Sequence, residues 1–402
     1  MSEKLALEGG TPVRKEPLPT WPQFSPTEVE AAAAVLRSGK VNYWTGGECK
    51  AFENEFAEFA GAKHAIALAN GTVALDLALR VYDIGPGDEV IVTPRSFMAS
   101  VSCVVLLGAK PVFADVDPIT QNISPETISK VITPRTRAII PVHLAGWPCD
   151  MDGIMALAAK HNLIVIEDCA QAHGAEYKGR PIGSIAHASA FSFCQDKIMS
   201  TGGEGGMFLT NDSSIWERAW AFKEHGKSYD TVFNKQHPFG FRWLHESFGT
   251  NYRLTEMQAA MGRVQLRELP RSVARRRELA ALLNETCSAI PALRTTIPPQ
   301  EIKHSYYKFY CFVRPEKLAP GWSRDRICQA LAAEGITCLA GSCSEIYLEK
   351  AFAEDLRPKE RLPVAKELGE TSLMFMVHPP IGDKDIAQVC TAISKVMGEA
   401  GV

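Results

Sequence analysis

Two stretches, LIVIEDCAQAHGA at residues 163–175 and SFCQDKIMSTGGEGG at residues 192–206, decide how this chain folds. Each sits on a short run that is apolar on both faces of an extended chain, and each ends in polar residues. The same kind of run recurs at AIALAN (65–70), EVIVTP (89–94), PVFADV (111–116), AIIPVHL (138–144), ASAFSF (188–193) and GMFLTN (206–211), with helical patterns between. Strands apolar on both sides and separated by helices belong to a mostly parallel sheet covered by helices, which makes this part of the chain an α/β domain. Ligands of such sheets bind beyond the carboxyl ends of the strands, where the polar residues of both opening stretches lie.

The 402 residues divide near residue 265 into a large unit, 1–265, and a smaller α+β unit, 266–402, with the N-terminal segment 1–30 expected to pack on the large unit. A helical pattern runs from about Arg253 to Val264. An arginine-rich helix at 271–277 then leads into the second unit, which holds a strand-like HSYYKFYCFVRP (304–315), a helix from Ser323 to about Gly335 and a terminal helix from Asp383. Lys and Arg total 43 against 46 Asp and Glu, and no basic block interleaved with aromatics is present, so nucleic acid is not an expected partner. No apolar run has membrane-spanning length, and the chain reads as cytoplasmic. Eleven cysteines lie scattered without CxxC pairs, which indicates neither a disulfide framework nor a metal site; they are expected to stay reduced.

Chemistry concentrates at three points. Lys197 follows a buried strand and precedes Gly202, Gly203, Gly205 and Gly206; alone it reads as a surface lysine in a loop, and the motifs that accompany it overturn that reading. Asp168, 29 residues upstream, ends a strongly apolar strand. An acid there can pair with a protonated pyridine nitrogen and keep the ring an electron sink, or it can cap the next helix. Asn70-Gly71-Thr72 passes from strand into helix. Gly71 permits close backbone approach, and free amides with the Thr72 hydroxyl suit a phosphate, although Thr72 is equally an ordinary cap.

These segments, in this order and with this spacing, resemble the DegT-type sugar aminotransferases, a branch of the aspartate aminotransferase fold (fold type I). The resemblance extends through YWTGGECKAFENEFAEFAG (43–61), ANGTVALDLAL (69–79), GDEVIVTPRSFMAS (87–100), VHLAGWPCDM (142–151) and NYRLTEMQAA (251–260). It implies pyridoxal phosphate (PLP) held as a Schiff base on Lys197, with Asp168 on the pyridine nitrogen and Gln171 beside the phenolic oxygen. It further implies Gly71, Thr72 and Ser192 around the phosphate, Phe97 stacked on the ring, and Asn251 reaching the phosphate from the neighbouring subunit of a homodimer.

The resemblance also implies L-glutamate or L-glutamine as donor and a keto-sugar acceptor, with a 4-keto or 3-keto deoxysugar on a nucleotide expected first. A keto-cyclitol or aromatic-precursor acceptor is the alternative, and a catalytically silent PLP-binding regulator the remote one. Retention of Lys197, where some family members carry histidine and dehydrate, favours transamination. The segment 225–247, rich in aromatic and basic residues, departs from the pattern, and Arg242, Trp243 and His237 are its candidates for gripping substrate. Thr45, His304 and Tyr307 are further substrate candidates, and Tyr306 and His378 lie in segments similar to those that close over the site.

Overall fold

In the computed structural model, which describes residues 4–402, all seven apolar runs become strands of one sheet. They are β1 (His64–Leu68), β2 (Glu89–Val92), β3 (Lys110–Phe113), β4 (Thr136–Ile140), β5 (Ile164–Asp168), β8 (Ala188–Ser192) and β9 (Gly206–Thr210). Their order across the sheet is β1-β9-β8-β5-β4-β2-β3. Only β9 runs antiparallel to its neighbours; the other pairings are parallel. Alternate residues go to opposite cores. Ile66, Val90, Val92, Ile140 and Ile166 enter one, while Ala65, Ala67, Ile91, Ile139 and Val165 enter the other. A side chain of this kind contributes roughly 1.5–3 kcal/mol when fully buried, so a sheet covered on both sides outweighs the modest strand preference of its alanines.

β6 (Glu176–Tyr177) and β7 (Arg180–Pro181), between β5 and β8 in the chain, form a short hairpin that β11 (Ile302–Lys303) joins from the C-terminal part. That part is built on an antiparallel sheet of β10 (Leu293–Thr295), β12 (Phe309–Val313) and β13 (Ser372–Phe375), with helices Arg324–Ala333 and Asp383–Ala400 packed together beside it. The expected strand at 304–315 is shorter than its apolar pattern. It begins only at Phe309 because Tyr306 takes a left-handed backbone (φ 48°), which turns 304–308 toward the large sheet.

Two expectations change. The helices expected at 253–264 and 271–277 are one helix, Glu256–Ser288, with Pro270 inside it. Proline in a helix interior costs about 3 kcal/mol, but buried Leu266, Leu269, Val273, Leu279 and Leu283 continue one apolar stripe past it, and their packing outweighs that cost. The chain therefore passes residue 265 inside a helix. The N-terminal segment does not lie wholly on the large unit. Helix Pro26–Ser38 lies along the long helix, whereas Leu5 enters the C-terminal core and the amides of Ala6 and Val13 donate to the buried Glu334 carboxylate at 2.8 and 3.0 Å. Arg14 pairs with Asp385 at 2.7 Å, so residues 5–14 are held on the C-terminal unit by two acids as well as by Leu5; residues 1–3 lie outside the described part. All eleven cysteines are free, and among the described residues no helix is long and apolar enough to cross a membrane.

Candidate active site

Lys197 stands on a turn just past the end of β8. Its amide donates to Cys194 O at 3.0 Å, and the glycine-rich return strand accepts from Gln195 and Phe193 through Gly203 O (2.9 Å) and Gly205 O (2.7 Å). Gly203 takes φ 125°, a backbone that side-chain-bearing residues rarely adopt, which is why glycines follow the lysine. Trp21 Nε1 donates to Lys197 O at 2.8 Å, fixing the turn from the other side. The ammonium group lies 3.6 Å from Asp196 Oδ1 and 4.9 Å from the Tyr307 ring centroid, and the Tyr307 hydroxyl donates to the second Asp196 oxygen.

Asp168 ends β5, directly beside β8 in the parallel register Asp168↔Ala190. It is 3 % exposed and accepts from Ser100 Oγ (2.7 Å) and Ala170 N (3.1 Å). Burial pushes its carboxyl above the ordinary aspartate range, while the Ser100 and Ala170 hydrogen bonds and the Lys197 charge pull it back. A bound cation would complete that pull. Asp168, Lys197, Gln171 and Phe97 line one cavity of about 560 Å³, within the usual size of small-molecule sites. Gln171 turns its carbonyl to Ala145 N (2.7 Å), which leaves its NH₂ as the donating end. Phe97 is 69 % exposed, so its ring has a free face.

The rim of the cavity carries a helix start that could hold an anion. Asn70 caps helix Gly71–Val81 by accepting Val73 N at 3.0 Å, and the first-turn amides of Gly71 and Thr72 border the cavity without an intrahelical partner. A Cβ on Gly71 would lie 2.6 Å from Ser192 Cβ, so strand β8 and this helix approach as closely as only glycine allows. Lysine, acid, amide donor and cradle thus fit PLP. Gly71→Ala is expected to fold, because overpacking costs roughly 1–3 kcal/mol, and to weaken cofactor retention at least about tenfold. Absorbance of the bound cofactor after gel filtration measures this.

Other candidates lie elsewhere. Asn251, Thr45, Arg242 and Trp243 are exposed and border neither this cavity nor its neighbour, and His237 hydrogen-bonds to Thr231 O at 2.6 Å within its own segment. His304 is buried, accepts Tyr306 N at 2.8 Å and stacks on the Tyr306 ring at 3.8 Å, so it braces the turn that delivers Tyr307. His378 hydrogen-bonds to Pro19 O at 2.6 Å and stacks on Trp21. Ser100 and Trp21 escaped sequence reasoning. Ser100 stands within the quoted PRSFMAS run, whereas nothing local marks Trp21, 176 residues from its partner.

His143, Glu167 and Cys169 converge, but the His143 and Glu167 acceptor atoms are engaged. His143 Nδ1 accepts Cys149 N at 3.0 Å, its Nε2 faces Glu167 at 3.1 Å, and Glu167 accepts the amides of Gly183, Ile185 and Ala186. Burial pushes both His173 and His304 down to about 3. A lowered folded pKa means that the unfolded chain binds the proton first, so stability is full above about pH 6.5 and falls as the pH drops toward 3. The expected loss is roughly 1.4 kcal/mol per histidine per pH unit. Urea unfolding between pH 7 and 5 checks the slope, which His173→Phe should flatten, since a phenyl ring keeps the edge contact with Phe191 and carries no proton.

Known proteins resemble this chain over most of its length. The aminotransferase from Psychrobacter cryohalolentis superposes with a TM-score of 0.93 at 56% identity, over 95% of this chain and 99% of that one. The dTDP-3-amino-3,4,6-trideoxy-alpha-D-glucose transaminase of Streptomyces venezuelae is 36% identical over 91% of each chain. The L-glutamine:2-deoxy-scyllo-inosose aminotransferase of Streptoalloteichus tenebrarius is 34% identical over 100% of this chain and 99% of the relative. With its residues 22–394 matching the family model, this chain belongs to the DegT/DnrJ/EryC1/StrS aminotransferase family.

Proposed function

We propose that this aminotransferase uses PLP to move an amino group from L-glutamate or L-glutamine to a keto-sugar, carried on a nucleotide as a 4-keto or 3-keto deoxysugar. The observation that carries the reading is the convergence of Lys197, Asp168 and the Gly71–Thr72 cradle in one cavity. When bound, PLP supplies an aldehyde that forms Schiff bases with amines and a pyridine ring that takes up carbanion charge. Gly71, Thr72 and Ser192 hold the phosphate end. Asp168 would hold the pyridine-nitrogen end, Gln171 would offer its NH₂ to the ring's oxygen substituent, and Phe97 would stack on the ring. Lys197 Nζ anchors the cofactor. With PLP bound, the same Nζ, once displaced by the donor amine, would be the base that moves the donor's α-proton. Asp196 lies close enough to receive the resulting ammonium form.

A homodimer with shared sites is part of this reading. Asn251 is exposed outside its own chain's cavity, and Phe239, Phe241, Trp243 and Phe248 form an exposed aromatic group that a free surface rarely carries. In such a dimer Asn251 meets the partner's phosphate cradle, and the 225–247 segment meets substrate. The cyclitol relative keeps keto-cyclitols as a second reading. Purified protein reconstituted with PLP should absorb in the visible or near-ultraviolet and change spectrum with L-glutamate or L-glutamine. Rates with nucleotide keto-sugars against keto-inositols separate the two acceptor classes, and a colourless protein after reconstitution sinks the proposal.

A further inference from the structure

Flanking Tyr307 is a second ammonium group that the mechanism above does not use. Lys308 Nζ lies 4.6 Å from the Tyr307 ring centroid, the same ring that faces Lys197 Nζ. Lys308 opens onto a neighbouring cavity of about 470 Å³, bordered on the cofactor side by Phe97, Gln171 and Lys197 and on the far side by Leu339, Ser342 and Met374. The two cavities share Lys197, so a molecule reacting there can extend to Lys308.

The surroundings of Lys308 do not answer its charge. Its contact is the Met376 sulfur at 3.2 Å, and among the described residues no carboxylate oxygen stands within ion-pair distance. Asp196, an acid bordering both cavities, is engaged by Lys197 and by the Tyr307 hydroxyl. Behind Tyr307 lies a further cation, Arg276, 1 % exposed, with one hydrogen bond to Tyr307 O (3.3 Å) and with Nε and Nη2 unpartnered. Burial drives Lys308 down to about 8, against the pull of Asp196, and the Arg276 and Lys197 charges push the same way as burial. A lysine that merely covers apolar surface keeps its head in water; this one holds its head against a thioether and an aromatic face, where an anion arriving in the cavity would gain most.

We propose that Lys308 is a carboxylate-binding residue of the substrate cavity, pairing with a carboxylate of the molecule whose nitrogen or carbonyl reacts at Lys197. An amino-acid donor carries such a group on the carbon that bears its amine; an acidic acceptor is the other source. The inference rests on the aminotransferase reading for its geometry.

Calorimetric titration of the holoenzyme with glutarate, a dicarboxylate without an amine, isolates binding from turnover. Lys308→Met is expected to raise the glutarate Kd roughly 10- to 100-fold, the loss of one charge-assisted hydrogen bond, and Lys308→Arg to restore most of it. In steady state, a KM raised for L-glutamate and L-glutamine with kcat preserved assigns the carboxylate to the donor. A KM raised only for the acceptor assigns it there. Unchanged glutarate affinity in Lys308→Met overturns the proposal, as does a lowered melting temperature that Lys308→Arg fails to rescue, since both leave Lys308 a packing residue. Should no amino donor react with the native holoenzyme, the aminotransferase reading fails, while the glutarate titration still reads Lys308 separately.

Discussion

Lys197→Ala is expected to lower aminotransfer by roughly 10⁴-fold or more and to abolish the cofactor absorbance that depends on an amine at this position. Alanine would remove anchor and base together, because the proposed mechanism gives both tasks to one Nζ. The turn itself should survive: its hydrogen bonds run through Lys197 N, Gln195 N and the Trp21 indole to Lys197 O, none of which involves the side chain. Lys197→Arg is expected to be equally inactive, since guanidinium neither condenses with an aldehyde nor gives up its proton. Spectra before and after dialysis, with single-turnover rates, measure the two losses. Turnover within about a hundredfold of native in either variant would remove Lys197 from the mechanism.

Asp168→Asn is the second large effect, with turnover reduced roughly 10²- to 10³-fold, the scale for losing one preorganised electrostatic partner. Asparagine keeps the shape: its carbonyl oxygen can still accept from Ala170 N, and its NH₂ can donate to the Ser100 hydroxyl, which accepts in turn, so the site should remain formed. It lacks the charge that holds a proton on a ring nitrogen. The loss should fall on kcat, with the Lys197-dependent absorbance retained, which distinguishes it from Lys197→Ala. Circular dichroism and the pH dependence of the absorbance band test this. A native kcat in the Asp168→Asn variant would mean that the ring works unprotonated, and the role given to Asp168 would fall.

Much of the fold is local in origin. The seven strands read directly from their sequence because a sheet covered on both faces demands unbroken apolar runs, and the strands of the large sheet appear where those runs are. The long helix is harder to read, since Pro270 and a cluster of arginines argue locally for a break, and only the packing of Leu266 to Leu283 on both units overrides them. Of the candidate residues, Lys197, Asp168, Gln171, Ser192, Phe97, Gly71 and Thr72 border one cavity. Tyr307 joins them through Asp196, an arrangement that depends on the left-handed turn at Tyr306. The candidates in 225–247 are of another kind, because a segment whose aromatics face outward takes its meaning from what covers it.

The residue types and their order along the chain were enough to specify a covered α/β sheet and a lysine and an acid at the ends of two of its strands, because strand periodicity and strand ends are local properties. Tertiary structure alone settled the supports: Trp21 on the Lys197 carbonyl, Ser100 on Asp168, the Cβ-free contact of Gly71 with Ser192, and Lys308 against Tyr307 and Met376 with no carboxylate of the described residues in ion-pair distance. Those contacts join residues up to 176 positions apart, and their energies arise from burial and distance, which no local pattern encodes.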